Sequence, residues 1–383
     1  MKTQVAILGS TGSIGTSLLN IISKNKKNFN IILLSANKNY KTVISQAKKF
    51  NVKNIIITDK KYFELAKQKN KKSKFKIYNN FENLNKIFNK KIDYAMNAIV
   101  GLDGLIPTFK IIKFTRKIAI ANKETIICAW NLIKKELKKN KTEFIPVDSE
   151  HFSIWYALKN TSTKKIEKIY LTASGGPLLN IPVNKYKNLK INKIIKHPNW
   201  TMGAKISVDS STMINKVFEV IEAKKIFNLS YNQVSILVHP KSYIHAILKF
   251  NDGMIKIIAH DTTMEIPIFN TINTNLNNKY NSKDINFDLL NNPQFTPVNP
   301  YKFPFTKIIK NLPTKDSLFE TVLVSINDEL VRLYLTKKIS YSYLLKKLLN
   351  LLGKKEFKKY KFIEPKNITD ILTLNKYIKS KII

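Results

Sequence analysis

Cysteine is nearly absent: Cys128 stands alone in 383 residues. A single thiol excludes an internal disulfide and fits a reducing compartment, so a cytoplasmic location is expected. Arginine is almost as scarce, with only Arg116 and Arg332, although the formal charge is +40. A charge of that size ordinarily points to nucleic acid or an anionic surface. Base readout and bidentate phosphate recognition draw heavily on arginine, however. The lysines here are scattered without a single basic stripe and travel with abundant Asn and Ile, as drift towards A- and T-rich codons would leave them at exposed positions. No nucleic-acid partner is expected. No apolar run approaches eighteen residues, so no membrane span or membrane partner is expected either. The first strand is expected by about Gln4, which leaves no room for a signal or transit peptide.

What is present suits a globular chain of two or three domains, with hydrophobic content of 44% and aromatic content of 10%. Residues 4–8, Gln Val Ala Ile Leu, form a short apolar run of the buried parallel-strand kind. Gly9, Gly12 and Gly15 follow, then a helical stretch over 16–23. Strand, glycine turn and helix make a phosphate cradle, here with G x x G x x G spacing, a variant of the usual dinucleotide turn. A second strand over 31–35 ends in Ala36, Asn37, Lys38 and Asn39. No acid stands there to hold a ribose 2′-hydroxyl, and Lys38 could meet a 2′-phosphate, so NADP is favoured over NAD. The competing reading of Lys38 is one more surface lysine.

Further strands are expected over 54–58, 75–78, 94–99 and 118–121, with outer helices in the charged stretch 60–91. This βα rhythm predicts a doubly wound parallel sheet running to about residue 145. Asn122, Lys123 and Glu124 stand at the end of its last strand, where open α/β sheets bind ligands. The plainer reading is a helix start with Asn122 as N-cap.

Residues 146–151, Pro Val Asp Ser Glu His, place Asp148 and Glu150 two positions apart, where a strand-like backbone points both carboxylates to one side. Two anions that close repel unless a cation sits between them. Downstream, in a run of helical period over 209–222, Asn215, Glu219 and Glu222 share one face, with Lys216 one residue round. All-oxygen ligands suit Mg²⁺ or Mn²⁺, and the lack of nearby Cys or paired His argues against zinc. Taken alone, Asp-Ser-Glu is more often a helix cap or a solvated turn.

A helix over 152–160 and a strand over 168–172 lead to the turn Ala173, Ser174, Gly175, Gly176, Pro177, a further candidate phosphate nest. Residues 178–204, with His197 and Trp200, read as a long loop suited to an active-site lid. Strands over 233–238, 243–250 and 254–259 look antiparallel and suit a subunit interface. Their histidines, His239 and His245, read as structural. The Asn- and Pro-rich stretch 273–304 reads as a linker, and the apolar spacing in 317–335 and 341–352 indicates a helical bundle.

Together these motifs resemble the 1-deoxy-D-xylulose 5-phosphate reductoisomerase family of the non-mevalonate isoprenoid pathway. The likeness rests on residues 9–15, 121–124, 146–151, 174–177, the run His Pro Asn Trp Thr Met Gly at 197–203, and residues 205–222. It runs through essentially the whole chain in order. It implies an α/β fold with an N-terminal Rossmann-like NADPH domain (1–145), a central α+β catalytic and dimerisation domain (146–272, lid about 174–204), a linker (273–304) and a C-terminal helical domain (305–383), assembled as a homodimer.

By matching motif, the resemblance implies that Asp148, Glu150 and Glu219 bind Mn²⁺ or Mg²⁺, with Co²⁺ an alternative. It places Lys123, Ser149, Glu150, Ser174, His197, Ser210, Asn215, Lys216 and Glu219 at the sugar-phosphate substrate, and Lys123, Glu150 and His197 at the chemistry. Thr11, Gly12, Ser13, Ile14, Asn37, Lys38, Asn39, Asn122, Glu124 and Gly203 would meet NADPH. The family reaction rearranges the carbon skeleton of 1-deoxy-D-xylulose 5-phosphate and reduces the resulting aldehyde to 2-C-methyl-D-erythritol 4-phosphate. Asn37, Ala173, Ala204 and Val217 depart from the commoner pattern, and none of them is a proposed metal or substrate ligand. A semialdehyde reductase would share the first domain but would not need the three carboxylates.

Overall fold

The structure, a computed structural model, describes residues 2–70, 74–200, 202–273 and 279–382. Thr201 of the expected lid and residues 274–278 of the expected linker lie outside the described residues. The chain forms two compact units. The first comprises Met1–Thr125, Asn131–Asp148 and Met264–Tyr280, and the second Ile126–Trp130, Ser149–Thr263 and Asn281–Ile383.

The first unit is built on seven strands: β1 (Thr3–Leu8), β2 (Phe29–Ala36), β3 (Asn54–Ile57), β4 (Lys76–Tyr78), β5 (Ile92–Asn97), β6 (Thr115–Ile120) and β7 (Glu143–Pro146). Between them run α1 (Ser13–Lys24), α2 (Tyr40–Phe50), α3 (Lys60–Lys69), α4 (Leu84–Ile87), α5 (Leu105–Ile112) and α6 (Lys123–Lys139), the last with non-helical angles at Ala129. Every pairing is parallel, in the order β4-β3-β2-β1-β5-β6-β7. Val5, Ala6, Ile7 and Leu8 are fully buried, because helices cover both faces of a parallel sheet. The strand order reverses beside β1, so the glycine turn that follows it opens onto the crevice where such sheets take ligands. The expected parallel sheet is present, with β7 as an additional strand.

In the second unit α7 (Ser149–Ala157) precedes β8 (Ile166–Ala173), and the lid stretch contains a 3-10 turn (Val183–Asn188) and α8 (Ile191–Ile195). Two helices follow, α9 (Ala204–Ser211) and α10 (Ile214–Phe227), where the sequence suggests one; Met213, at φ 63°, turns the chain between them. β9 (Val234–Val238), β10 (Ile244–Phe250) and β11 (Ile255–Ala259) come next. The sheet order is β11-β10-β8-β9, and β9 lies parallel to β8 while β10 is antiparallel to both β8 and β11. The expected antiparallel pairing holds for β10 and β11, whereas β9 is separated from β10 by β8 and runs parallel to β8: the chain between β8 and β9 is a crossover through the lid and two helices, and such a connection returns a strand parallel.

Two later stretches also differ from the sequence reading. α11 (Glu265–Ile272) packs Ile268, Phe269 and Ile272 into the core of the first unit, not the second. The expected linker contains α12 (Phe287–Leu290) and β12 (Thr296–Pro297), which extends the second sheet by pairing with β9. The C-terminal helices are α13 (Phe319–Leu335), α14 (Tyr341–Gly353), α15 (Lys355–Lys358) and α16 (Ile368–Ile382). α13 is buried nearly all round, from Phe319 to Tyr334, as the centre of a bundle must be.

Candidate active site

The cradle in the first unit is made of backbone. Gly9 has φ +80°, and a Cβ there would lie 2.8 Å from the Ala98 carbonyl oxygen. At Gly15 a Cβ would lie 2.5 Å from the Gly9 oxygen, so α1 can approach the turn this closely only without a side chain. Gly12 is the N-cap of α1 and offers no side-chain cap, which leaves the first N–H groups of the helix for a ligand. Thr11 and Ile14 are half-buried and Gly12 and Ser13 exposed along that opening. Asn37, Lys38 and Asn39 are exposed after β2. The Asn37 amide donates to Thr58 Oγ1 at 2.8 Å, and Asn39 Oδ1 accepts from Thr42 Oγ1 at 2.8 Å.

Asn122 is an N-cap: its Oδ1 accepts from the Thr125 N–H at 2.6 Å, while its amide donates to the carbonyls of Ile99 and Gly101. Its side chain is committed inward, so a cofactor could meet only its backbone. Glu124 is buried in the first turn of α6. Lys123 Nζ lies 3.3 Å from Asp148 Oδ2.

The carboxylates do not sit on a strand. β7 stops at Pro146, Asp148 follows in the turn, and Glu150 lies in the first turn of α7. Alternation along a strand therefore does not explain the pair; a strand-to-helix turn does. α10 supplies the third carboxylate and its neighbours on the expected face. Asn215 Nδ2 donates to Glu219 Oε1 at 2.5 Å, and Lys216 Nζ lies 2.6 Å from Glu219 Oε2 and 3.2 Å from Glu150 Oε1. Ser149 Oγ donates to Glu150 Oε2 at 2.7 Å. One oxygen each of Asp148, Glu150 and Glu219 lie within 4.8 Å of one another. Three carboxylates that close, with Glu219 only 1% exposed, require positive charge, and here the ammonium groups of Lys216 and Lys123 supply it. The donor set is entirely oxygen, which fits a hard divalent cation such as Mg²⁺ or Mn²⁺.

Ser174 follows β8, and its Oγ accepts from the Gly176 N–H at 3.0 Å. His197 Nδ1 accepts from the backbone N–H groups of Asn199 and Trp200, both at 3.1 Å, so in the neutral ring the proton resides on Nε2 and is donated to Ser174 Oγ at 3.0 Å. Burial, then the charge of Lys216, pushes the His197 pKa down to about 4, so the ring is neutral at pH 7. With its oxygen accepting twice, Ser174 keeps its own hydroxyl proton for a ligand. A Cβ on Gly176 would lie 2.8 Å from the Ser210 carbonyl oxygen, so this turn packs directly on α9. A cavity of about 1130 Å³ opens between turn and lid, reaching Ser174 and Gly176 and walled by Lys185, Lys190, Lys193 and Lys196; neither Glu150 nor Glu219 lines it. Gly203 is the N-cap of α9.

The sequence reading placed Glu222 only on the face of Asn215 and Glu219, took His245 as structural and assigned nothing to the His151 ring. His151 Nε2 donates to the Glu219 carbonyl oxygen at 2.9 Å, and its Nδ1 lies 3.7 Å from Glu222 Oε2. His245, read as structural, has Nδ1 3.8 Å from Glu150 Oε1, stacks on His260 at 3.7 Å and meets the edge of Trp200. The adjacency of His151 to Glu150 was a usable signal; nothing in the spacing of β10 marks His245.

Comparison with known proteins agrees along the chain. Residues 5–130 match the 1-deoxy-D-xylulose 5-phosphate reductoisomerase family, 144–227 its C-terminal domain, and 261–381 the DXP reductoisomerase C-terminal domain. The chain is 56% identical over 381 residues to the 1-deoxy-D-xylulose 5-phosphate reductoisomerase of Pelagibacter ubique (strain HTCC1062), covering 99% of this chain and 98% of that protein. It is 35% identical over 379 residues to that of Clostridium novyi (strain NT), covering 98% and 97%. The Zymomonas mobilis enzyme in complex with NADPH superposes with a TM-score of 0.87 at 28% identity, over 99% of this chain and 98% of that one. A DOX-P reductoisomerase in complex with NADPH, fosmidomycin and magnesium gives 0.90 at 27%, over 99% and 97%.

Proposed function

The chain belongs to the 1-deoxy-D-xylulose 5-phosphate reductoisomerase family, and from that premise we propose how its residues share the conversion of 1-deoxy-D-xylulose 5-phosphate to 2-C-methyl-D-erythritol 4-phosphate. Asp148, Glu150 and Glu219 would hold the divalent ion, which would supply Lewis acidity towards the neighbouring carbonyl and hydroxyl oxygens of the substrate. NADPH supplies the hydride. The open N-terminus of α1 at Thr11, Gly12, Ser13 and Ile14 would hold the cofactor, with Lys38 available to its 2′-phosphate; Asn37, Asn39, Glu124, the Asn122 backbone and Gly203 are further residues proposed to meet it.

The remaining work falls to side chains. Ser149 and Asn215 orient the ligating carboxylates through the hydrogen bonds already described. Lys216 neutralises Glu150 and Glu219 and, with Asn215, Ser174 and Ser210, binds the substrate's phosphate end. Binding there positions the reacting carbons without touching them. His197, neutral, fixes the Ser174 hydroxyl. Lys123 and Glu150 hold and return the hydroxyl protons of the substrate. Trp200, against His245, helps exclude water.

The first unit serves as the NADPH domain, and the second combines the catalytic sheet with the helical bundle. A homodimer is supported by β11, an edge strand with Ile255 and Ile257 exposed and Met254 exposed just before it, where a second copy of the chain would cover both backbone edge and apolar side chains. The lone buried Cys128 supports a cytoplasmic setting. Among the described residues no helix is long and apolar enough to cross a membrane.

The observation that carries this reading is the convergence of Asp148, Glu150 and Glu219 around inserted ammonium groups. NADPH absorbance, followed with 1-deoxy-D-xylulose 5-phosphate and Mn²⁺ or Mg²⁺, should fall only when both sugar phosphate and metal are present. Glu219→Gln should lower kcat by at least about a hundredfold, the upper range for disturbing a metal's surroundings, and leave NADPH affinity unchanged. Turnover that survives EDTA, or near-normal turnover of that variant at low Mn²⁺, would sink the assignment.

A further inference from the structure

The C-terminal helices touch the candidate phosphate site through one short helix. α9 carries Ser210, half-buried between two buried residues, Asp209 and Ser211. Both of these neighbours are tethered. Asp209 Oδ1 accepts from Asn327 Nδ2 at 2.8 Å, and Ser211 Oγ lies 3.2 Å from the Tyr341 hydroxyl. One turn earlier Lys205 bridges Asp209 Oδ2 at 3.2 Å and Asp328 Oδ1 at 3.0 Å. α9 is thus fixed to α13 at two points and to α14 at a third. Tyr341 also takes the edge of Tyr186, from the 3-10 turn of the lid.

Asn327 is fully buried, and its orientation towards Asp209 leaves its Oδ1 without a hydrogen-bond partner. A leucine would remove that unpaired oxygen but would also leave buried Asp209 Oδ1 without its donor, so the amide is there for what it holds. On the far side, the Ser210 carbonyl and hydroxyl oxygens stand against Gly176, within 2.8 and 3.2 Å of where a Cβ would be. A shift of α9 would therefore move Ser210 relative to Ser174 and its turn.

We infer that Asn327, Asp328 and Tyr341 are positioning residues for the phosphate end of the substrate, acting through Asp209, Lys205 and Ser211 to set Ser210 against the 174–177 turn. The inference rests on the reading that Ser210 meets that phosphate, so Ser210→Ala is the reference variant.

The test measures KM and kcat for 1-deoxy-D-xylulose 5-phosphate, Mn²⁺ affinity by the resonance of the free ion, and NADPH affinity by fluorescence. Tyr341→Phe removes one hydroxyl, Asn327→Leu removes the amide, and Asp209→Asn combined with Asn327→Asp reverses the donor and acceptor. The first two should raise KM about five- to tenfold, the size of loosening one charge-assisted hydrogen bond, with kcat within about twofold and both affinities unchanged. The reversed pair should recover most of the loss seen in Asn327→Asp alone. If Ser210→Ala raises KM and neither Tyr341→Phe nor Asn327→Leu does, the inference fails while the site reading stands. If Ser210→Ala has no effect, both fail. A parallel loss of metal and NADPH affinity would reduce the tethers to general stability and overturn the positioning role. Should Asn327→Leu not fold, Tyr341→Phe decides alone.

Discussion

The cofactor turn of the first unit and the charged core of the second prepare for ligands with opposite materials. The first offers backbone: a glycine turn, the uncapped start of α1, and an Asn122 whose side chain is spent inside the fold. The second offers buried charge, with Glu150, Lys216, Glu219, Glu222, Lys225 and Glu320 each no more than 9% exposed. Backbone donors are already neutral dipoles and cost little to leave facing solvent. A buried ion costs several kcal/mol of desolvation, about as much as its partners return, so it persists only in company. A side-chain change at the glycine turn should therefore matter little unless it adds a Cβ, and greatly in the second unit whenever it removes one member of a pair.

The largest effect expected from this contrast lies away from the chemistry. Lys225 contacts Asp316 and lies 3.1 Å from Glu320, itself fully buried. Burial works against the ammonium charge, but Glu320 and Asp316 outweigh it and hold the lysine pKa above its ordinary value. With the folded pKa raised, the stabilisation is complete below the ordinary lysine pKa and is lost only as pH rises through the raised one. Lys225→Met at neutral pH should cost about 3–5 kcal/mol in urea unfolding, because Glu320 is left uncompensated. Adding Glu320→Gln should recover much of that. A cost below about 1 kcal/mol, the scale of an exposed ion pair, would break the distinction drawn between the units.

The same contrast explains what could be read in advance. β1 declared itself because a strand buried on both faces must be apolar throughout. β7 did not, since its four residues carry Glu143 at one end and Pro146 at the other. Helical period gave Asn215, Glu219 and Glu222 their shared face, with Lys216 one residue round, but not the break at Met213, where a residue in the left-handed region stands without Gly or Pro to mark it. Asp148 and Glu150 were recognisable as a pair from charge, yet their backbone was not, because two acids flanking a serine suit a strand or a helix start equally well. Parallel pairing of β9 depends on the path of the crossover, and the meetings of Lys225 with Glu320, Asp209 with Asn327 and His245 with Glu150 join residues distant in sequence. Local pattern carries no record of such contacts.

At the glycine turn the sharpest change is a methyl group. Gly15→Ala would set a Cβ 2.5 Å from the Gly9 oxygen and 2.6 Å from Ser10 Cα, both backbone atoms. The turn must open, at a cost of about 1–3 kcal/mol typical of overpacking. NADPH affinity should fall with it, while Mn²⁺ affinity is unchanged. Intact NADPH binding would show that the cradle is not the cofactor site.

The smallest effect tests whether any side chain matters at the 2′-phosphate. Among residues 37–39 the amides of Asn37 and Asn39 are engaged by Thr58 and Thr42, which leaves Lys38 to supply charge. It is exposed, so its attraction for a phosphate is screened by water and salt. Lys38→Gln should weaken NADPH about three- to fivefold, the range of an exposed charge pair, and leave NADH binding unchanged. Loss of both cofactors equally would mean that Lys38 contributes only general field. A much larger, NADPH-specific loss would mean that bound cofactor buries the ammonium group, and the cofactor turn too would then depend on desolvated charge.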